Sequence, residues 1–362
     1  MVIKRESNIE LLRIICMMLI IAHHSVVHGG ILGIDNCVNK YIGLLILPSG
    51  KIMFVTFIVI STWFLADKDF KLERFLKTWL QVLFYSVLFA VLAAAYGNNL
   101  SWHNWISVFF PIIGNSHGFA ATYLAFYLST PFLAILNKTM TQKQHLCLGG
   151  GLLYFEVISI FMKGIFDYQG IILSSELTLF IFIYFVTAYI KKYTTFYRHN
   201  TTIFGVISVI IWLIISGIYL LSFSKYGQNE VLGILRGLCN DETSILYLIG
   251  GYCVFFVFIN IKIPYNVIIN KIAHVSFGVL LFHDHNFFRY ILWRDILHAE
   301  EFYHSHYFVV WVIATALLIY AVGYVIDSVR EWLFKYISLQ KLAVNIMSKY
   351  NNFLPCSEGR KV

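Results

Sequence analysis

The chain has 362 residues, 59% hydrophobic and only 13% charged, with a formal net charge of +8 and a mean hydropathy of +0.73. Soluble globular domains hold about 45–50% apolar and about 25% charged residues. The composition therefore excludes a soluble fold and leaves an integral membrane protein, with 32 Phe and 23 Tyr suited to lipid-facing surfaces and interfacial belts.

A spanning helix needs about 20 mostly apolar residues. The first run, at roughly 9–28, has no small-residue cleavage site behind it and is expected to be retained rather than removed as a signal peptide. Further spans are expected at roughly 50–66, 75–97, 118–136, 145–162, 171–190, 202–222, 243–260, 271–289 and 306–327. Pro111, Gly114 and Gly118 break the stretch before 118, so 103–117 is expected as an outer loop or re-entrant piece. The fold class is thus all-α and polytopic, with about ten transmembrane helices. From about 328, VREWLFKYISLQKLAVNIMSKY reads as a basic amphipathic helix, lying either on the inner leaflet or on the protein's own inner face. The expected division is a membrane domain over 1–330 and a basic cytoplasmic tail over 331–362.

Cytoplasmic segments carry an excess of Lys and Arg. With the N-terminus inside, 20 of the 27 Lys and Arg residues fall on inner segments and 7 on outer ones. Both termini are therefore expected in the cytoplasm and the chain in the cell membrane. The net charge then reflects this bias rather than a nucleic-acid patch. The six cysteines are scattered without a CxxC pair, so neither a zinc ribbon nor a disulfide framework is suggested.

The first span carries its own chemistry. From Arg13 to His24 is eleven residues, about 1100° of helical rotation, so the two share one face about 16 Å apart along the axis. Glu10 and His28 extend this stripe, whereas His23 points away from it. Ionisable residues inside a span face the bundle interior or a wet cavity and mark function by default. Arg suits an anion such as a phosphate, and His can act as a general base. The plainer alternatives stay open at this point: Arg13 paired with Glu10, and the histidines as helix–helix hydrogen bonds.

The late outer loop gathers Arg289, Arg294, Asp295, His298, Glu300, Glu301, His304 and His306. Their spacing matches no metal motif, and no metal is expected. The loop can instead meet sugar hydroxyls, with Trp293 and Tyr303 to stack on a ring. GGG at 149–151 is read as close helix packing, not a phosphate loop, because no GK[ST] follows. Two other classes fit a ten-span chain with interior charges, namely a secondary transporter and a flippase of lipid-linked saccharides. Transporters often carry paired broken helices in repeated halves, and the second half has no counterpart to the break before 118.

Four stretches together resemble acyltransferase family 3, the multi-span membrane O-acyltransferases acting on bacterial surface glycans. That family's first helix carries an acidic residue, then Arg, ten residues and His, matched by Glu10, Arg13 and His24. FIVISTWFLADKDFKLERFLK (57–77) is similar to its second span and basic inner loop, with Ser61-Thr62 in place of Ser-Gly. FAATYLAFYLSTPFLAILNK (119–138) is similar to the span ending in Ser/Thr-Pro-Phe-Leu, with His117-Gly118-Phe119 where Trp-Phe often stands. HVSFGVLLFHDHNFF (274–288) resembles the late span in which His283 takes the family's His.

The resemblance implies transfer of an acyl group, most often acetyl, from coenzyme A at the cytoplasmic side to a hydroxyl of an extracytoplasmic polysaccharide or lipid-linked glycan. The expected partners are thus acetyl-CoA (or another acyl-CoA), a glycan acceptor and the lipid bilayer, with no nucleic acid. On this reading His24 is the catalytic base, and Arg13 binds donor phosphate or holds the inner end of the acyl path, while Glu10 orients it. Arg74, Lys71 and Lys77 are further donor contacts. His283 serves the acceptor end or orients His24, and Asp284 can orient a histidine.

Overall fold

The structure is a computed structural model that describes residues 6–34, 37–114, 117–158, 162, 175–224 and 229–337. Every element among the described residues is helical. The principal helices are α1 (Ser7–Val27), α2 (Val38–Leu65), α3 (Leu72–Ala95), α4 (Trp102–Phe109), α5 (Gly118–Thr139), α6 (Gln142–Leu153) and α7 (Glu176–Tyr193). They continue with α8 (Thr201–Ser222), α9 (Glu230–Leu238), α10 (Ile245–Asn260), α11 (Val267–His274), α12 (Ser276–His283) and α13 (Phe308–Tyr336).

Six of these, α1, α2, α3, α5, α8 and α13, are long and apolar enough to cross a membrane. Two shorter apolar stretches, Ile245–Asn260 and Val267–His283, add to them. The expected spans 145–162 and 171–190 run partly outside the described residues. Their described parts are α6, which carries GGG and continues into a π-helical turn at Tyr154–Ile158, and α7. The break expected before 118 is present: α4 and a short turn at Pro111–Gly114 precede a separate α5.

α1 is the hub, packing against α2, α10, α11, α12 and α13. It ends where the sequence supplies His28, Gly29 and Gly30, and Gly30 sits at φ +88°, a left-handed conformation that ends helices and suits glycine. α2 comes unusually close to it: a Cβ on Gly50 would lie 2.2 Å from His23 Cβ. Small residues are what lets membrane helix backbones approach like this.

α2 starts earlier than expected and runs through Pro48. A proline inside a helix removes one backbone hydrogen bond and crowds the carbonyl four residues before it. Neighbouring helices meet the backbone carbonyls just before it. Trp212 Nε1 donates to Leu45 O at 3.1 Å, and His23 Nδ1 to Leu47 O at 2.7 Å. Deeper in the bundle, Thr62 Oγ1 lies 3.2 Å from Thr187 Oγ1 and Thr187 Oγ1 lies 2.8 Å from Tyr252 OH, tying α2, α7 and α10. In an apolar medium such side-chain bonds satisfy groups that have no water to turn to.

The start of the helix expected after 328 is the end of α13, which packs on the protein. α13 runs on through 330 to Tyr336, and Arg330 is buried. Its Nε and Nη2 hold the Asp327 carboxylate at 2.7 and 3.1 Å. Tyr85 OH and Gln81 Nε2 of α3 donate to the same carboxylate at 3.1 and 2.9 Å. Gly278 of α12 makes room, since a Cβ there would lie 2.4 Å from Asp327 Cγ. Residues 338–362, most of the expected tail, lie outside the described residues.

Two outcomes follow from this packing. Removing one member of a buried ion pair costs about 3–5 kcal/mol, so Asp327→Ala is expected to lower the thermal unfolding midpoint in detergent sharply; an unchanged midpoint would remove the pair from the fold's support. Overfilling a tight contact costs about 1–3 kcal/mol, so Gly50→Leu is expected to destabilise the chain by at least that much in the same measurement, and neutral behaviour would mean α1 and α2 can separate freely.

Candidate functional site

The polar stripe read from α1 faces the interior, and it divides into two ends. At the N-terminal end, Arg13 Nη1 lies 3.1 Å from Glu10 Oε1. Glu10 is buried, whereas Arg13 is half-buried and sits 6.0 Å from the centre of the Phe64 ring. Arg13 and Arg74 both act electrostatically on Tyr123, and Arg74 on Tyr127 as well. The two guanidiniums therefore share one neighbourhood at this end. The Lys71 backbone N–H donates to Tyr127 OH at 3.3 Å, with the Lys71 side chain exposed beside it. Lys77 is not gathered in: it forms an exposed ion pair with Glu73 one turn away on α3.

At the other end, helical periodicity sets His24 and His28 one turn apart, their ring centres 4.9 Å from one another. α12 brings His283 to the same place, 5.1 Å from the His24 ring. Here the chain leaves α12, and Asp284 Oδ1 comes to 3.4 Å from His28 Nε2. Arg289 Nη1 approaches the same oxygen at 3.5 Å. The sequence places His24 and His283 some 260 positions apart on two elements; the fold joins them.

The hydrogen bonds sort the histidines by role. His23 gives its Nδ1 proton to Leu47 O, so it serves helix packing. His283 gives its Nδ1 proton to Val279 O at 2.6 Å, which fixes its tautomer and leaves Nε2 with a lone pair. That Nε2 is buried without a hydrogen-bond partner among the described residues, as is Nδ1 of His24. Two partnerless imidazole nitrogens in a buried cluster are costly, and such exceptions call for an explanation in function.

A cavity of about 250 Å³ opens against this cluster. On α1 it is lined by Met17, Ile20 and His24, on the face that carries Arg13, and by His23 beside them; Met17 is one turn beyond Arg13. Its middle wall is apolar, built from Phe54, Phe57, Phe119 and Leu280. Around the histidine end it turns polar, with Lys51, Glu176, Glu242, Asp284, Asn286 and Arg289. Lys51 pairs with Glu242 at 3.3 Å, and Thr122 Oγ1 donates to Glu176 Oε2 at 2.9 Å. Arg13 does not itself line this cavity, which approaches it on α1 no nearer than Met17; the imidazole of His24 lines it together with the polar groups.

Sequence reasoning missed Lys51, Glu176 and Glu242 as neighbours of His24. The available signal was weak, one lysine at the start of an apolar run and carboxylates beside helix starts. The late loop differs from its expected role. Trp293 is completely buried and cannot stack on a sugar. Tyr303 hydrogen-bonds the Gly29 carbonyl and Arg294 Nε donates to His28 O at 3.4 Å, so this part of the loop clamps the end of α1.

The family model described as an acyltransferase domain, that of acyltransferase family 3, matches residues 6–339. No curated protein and no solved structure gives a significant match. A match over nearly the whole chain, on a helical membrane fold that sets Arg13 and His24 on one interior face, leads to one conclusion: the chain belongs to acyltransferase family 3 and is a membrane acyltransferase.

Proposed function

We propose that the protein is an O-acyltransferase, with acetyl as the group moved, that takes its donor as acyl-coenzyme A from the cytoplasmic side. The acceptor is a hydroxyl of a polysaccharide or lipid-linked glycan on the far side of the cell membrane. The observation that carries this reading is the cavity along α1, which reaches from Met17, one turn from Arg13, to His24. A thioester arm entering past Arg13 and Arg74 would meet apolar walls and then an imidazole, which is the order of chemistry the donor presents.

Arg13, oriented by Glu10, and Arg74 bind donor phosphate through charge-assisted hydrogen bonds. Lys71 adds positive charge at the same helix start, whereas Lys77 is paired with Glu73. At the other end His24 acts as general base, and its Nε2 is the nitrogen left to the cavity because Nδ1 is buried. The acceptor hydroxyl gives its proton to His24 as its oxygen attacks the thioester carbonyl. The carbon–sulfur bond breaks, the ester forms, and coenzyme A leaves as a thiolate that recovers the proton from His24. His283, 5.1 Å away ring to ring, holds the His24 ring in place. The polar rim of Lys51, Glu176 and Glu242 supplies donors and acceptors for sugar hydroxyls.

A thioester-binding measurement on the purified chain separates this reading from the transporter and flippase readings, which need no coenzyme A. Native protein is expected to bind acetyl-CoA and to place ester-linked acetyl on surface glycans of an expressing host. General-base removal costs about 10²–10⁴-fold in rate, so His24→Ala is expected to lose transfer by that factor while keeping donor binding. Losing a charge-assisted hydrogen bond costs about 1.5–3 kcal/mol, so Arg13→Ala is expected to weaken donor binding by tenfold or more. Full activity in His24→Ala would remove the base assignment, and a native chain that ignores the thioester would overturn the reaction.

A further inference from the structure

The cluster at the C-terminal end of α1 has a second property that acid–base chemistry does not use. We infer that His24, His28 and Asp284 form a binding site for one transition-metal ion of the Zn²⁺ class, and that filling it stops acyl transfer. The second half of this inference rests on His24 being the base; the first half does not.

The geometry starts with the donors. His28 Nε2 and Asp284 Oδ1 stand 3.4 Å apart, and one ligand atom from each of His24, His28 and Asp284 lies within 4.8 Å of the others. A tetrahedral zinc ion with bonds of about 2.0–2.1 Å sets its ligand atoms about 3.3–3.4 Å apart. The His28–Asp284 edge already has that spacing, so closing the triangle asks only a side-chain adjustment at His24. Two imidazoles and a carboxylate are a recurring zinc donor set, and three protein ligands leave the fourth position open.

A second observation points the same way. His24 Nδ1 and His283 Nε2 are both buried without hydrogen-bond partners among the described residues. The His283 Nδ1 proton is committed to Val279 O, so its Nε2 presents a lone pair beside the triad. Metal-binding histidines characteristically donate their other ring N–H in this way. His283 is thus placed to be the fourth ligand or to steady His24. Imidazole donors favour zinc, copper or nickel over magnesium and calcium, which prefer oxygen.

Inhibition follows from electron counting. A neutral imidazole has one lone-pair nitrogen. If the metal takes it, His24 has none left for the acceptor's proton, whichever ring nitrogen coordinates. Arg289 approaches the same Asp284 oxygen at 3.5 Å and competes with the ion by charge.

The test uses the full chain in lipid nanodiscs, stripped with chelator, with ZnCl2 titrated in a calorimeter and MgCl2 as the control ion. One equivalent of Zn²⁺ is expected to bind at micromolar concentration or tighter, with no response to Mg²⁺. Asp284→Asn and His28→Gln are expected to weaken binding by about tenfold or more, and Arg289→Gln to tighten it. A paired His304→Ala and His306→Ala variant of the exposed loop is expected to bind as native. Undiminished binding in both Asp284→Asn and His28→Gln, or loss in the loop variant, would overturn the site. On the native chain, acyl transfer is expected to fall by at least tenfold at Zn²⁺ saturation and to return with chelator. Transfer unchanged or raised at saturation would overturn the inhibitory role. Acetyl-CoA binding, measured in the same preparation, reports on the acyl-transfer reading separately.

Discussion

An ionisable side chain inside an apolar bundle must find a partner, a backbone acceptor or a wet cavity, because the alternative costs several kcal/mol. The rest of this structure is arranged around that constraint. α1 brings Glu10, Arg13, His23, His24 and His28 into the interior, and each meets it differently. Glu10 and Arg13 pair with one another. His23 bonds a backbone carbonyl beside the proline of α2. His28 faces Asp284. His24 is left with an unpartnered nitrogen and a cavity, and it is there that reactivity can be afforded. The same constraint, met without a cavity, gives the Asp327 and Arg330 pair its four-way support from α3 and α13.

Packing shapes the cavity at the histidine end. Gly50 lets α2 approach His23, and α12 lays His283 against His24. Between the two ends, Phe54, Phe57, Phe119 and Leu280 form a wall with no polar side chain. Such a wall excludes water from a thioester and strengthens whatever electrostatic contacts stand at the ends. In the proposed reaction one helix would hold a donor anion at Arg13 and a base at His24, about 16 Å apart along its axis. The Zn²⁺ inference comes from the same crowding: histidines close enough to tune a base are close enough to share a metal.

The parts of this account that depend on local periodicity were legible in the sequence. The shared face of Arg13 and His24 follows from helical geometry, and the break before α5 follows from Pro111 and the glycines. Parts that depend on distant segments were not. Asp327 and Arg330 stand three apart on one helix, but only the fold sets that pair against Tyr85 and Gln81 of α3. Lys51, Glu176 and Glu242 belong to three separate segments, and no spacing connects them. Trp293 reads as an exposed loop aromatic because the sequence does not show that its loop folds back to clamp Gly29. Span counting from apolar runs gave about ten, whereas six helices among the described residues are long and apolar enough to cross a membrane; α10 and the pair α11–α12, both counted as spans from sequence, are shorter.

The central claim is that one cavity joins a donor site at Arg13 to a base at His24. The most direct measurement is the position of a bound, non-hydrolysable acetyl-coenzyme A analogue in an experimental structure of the purified chain. The account predicts phosphates against Arg13 and Arg74, with the arm lying along Met17 and Ile20 and the acyl carbon beside His24. An analogue bound elsewhere, with the α1 cavity empty and His24 out of reach of the acyl carbon, would contradict it.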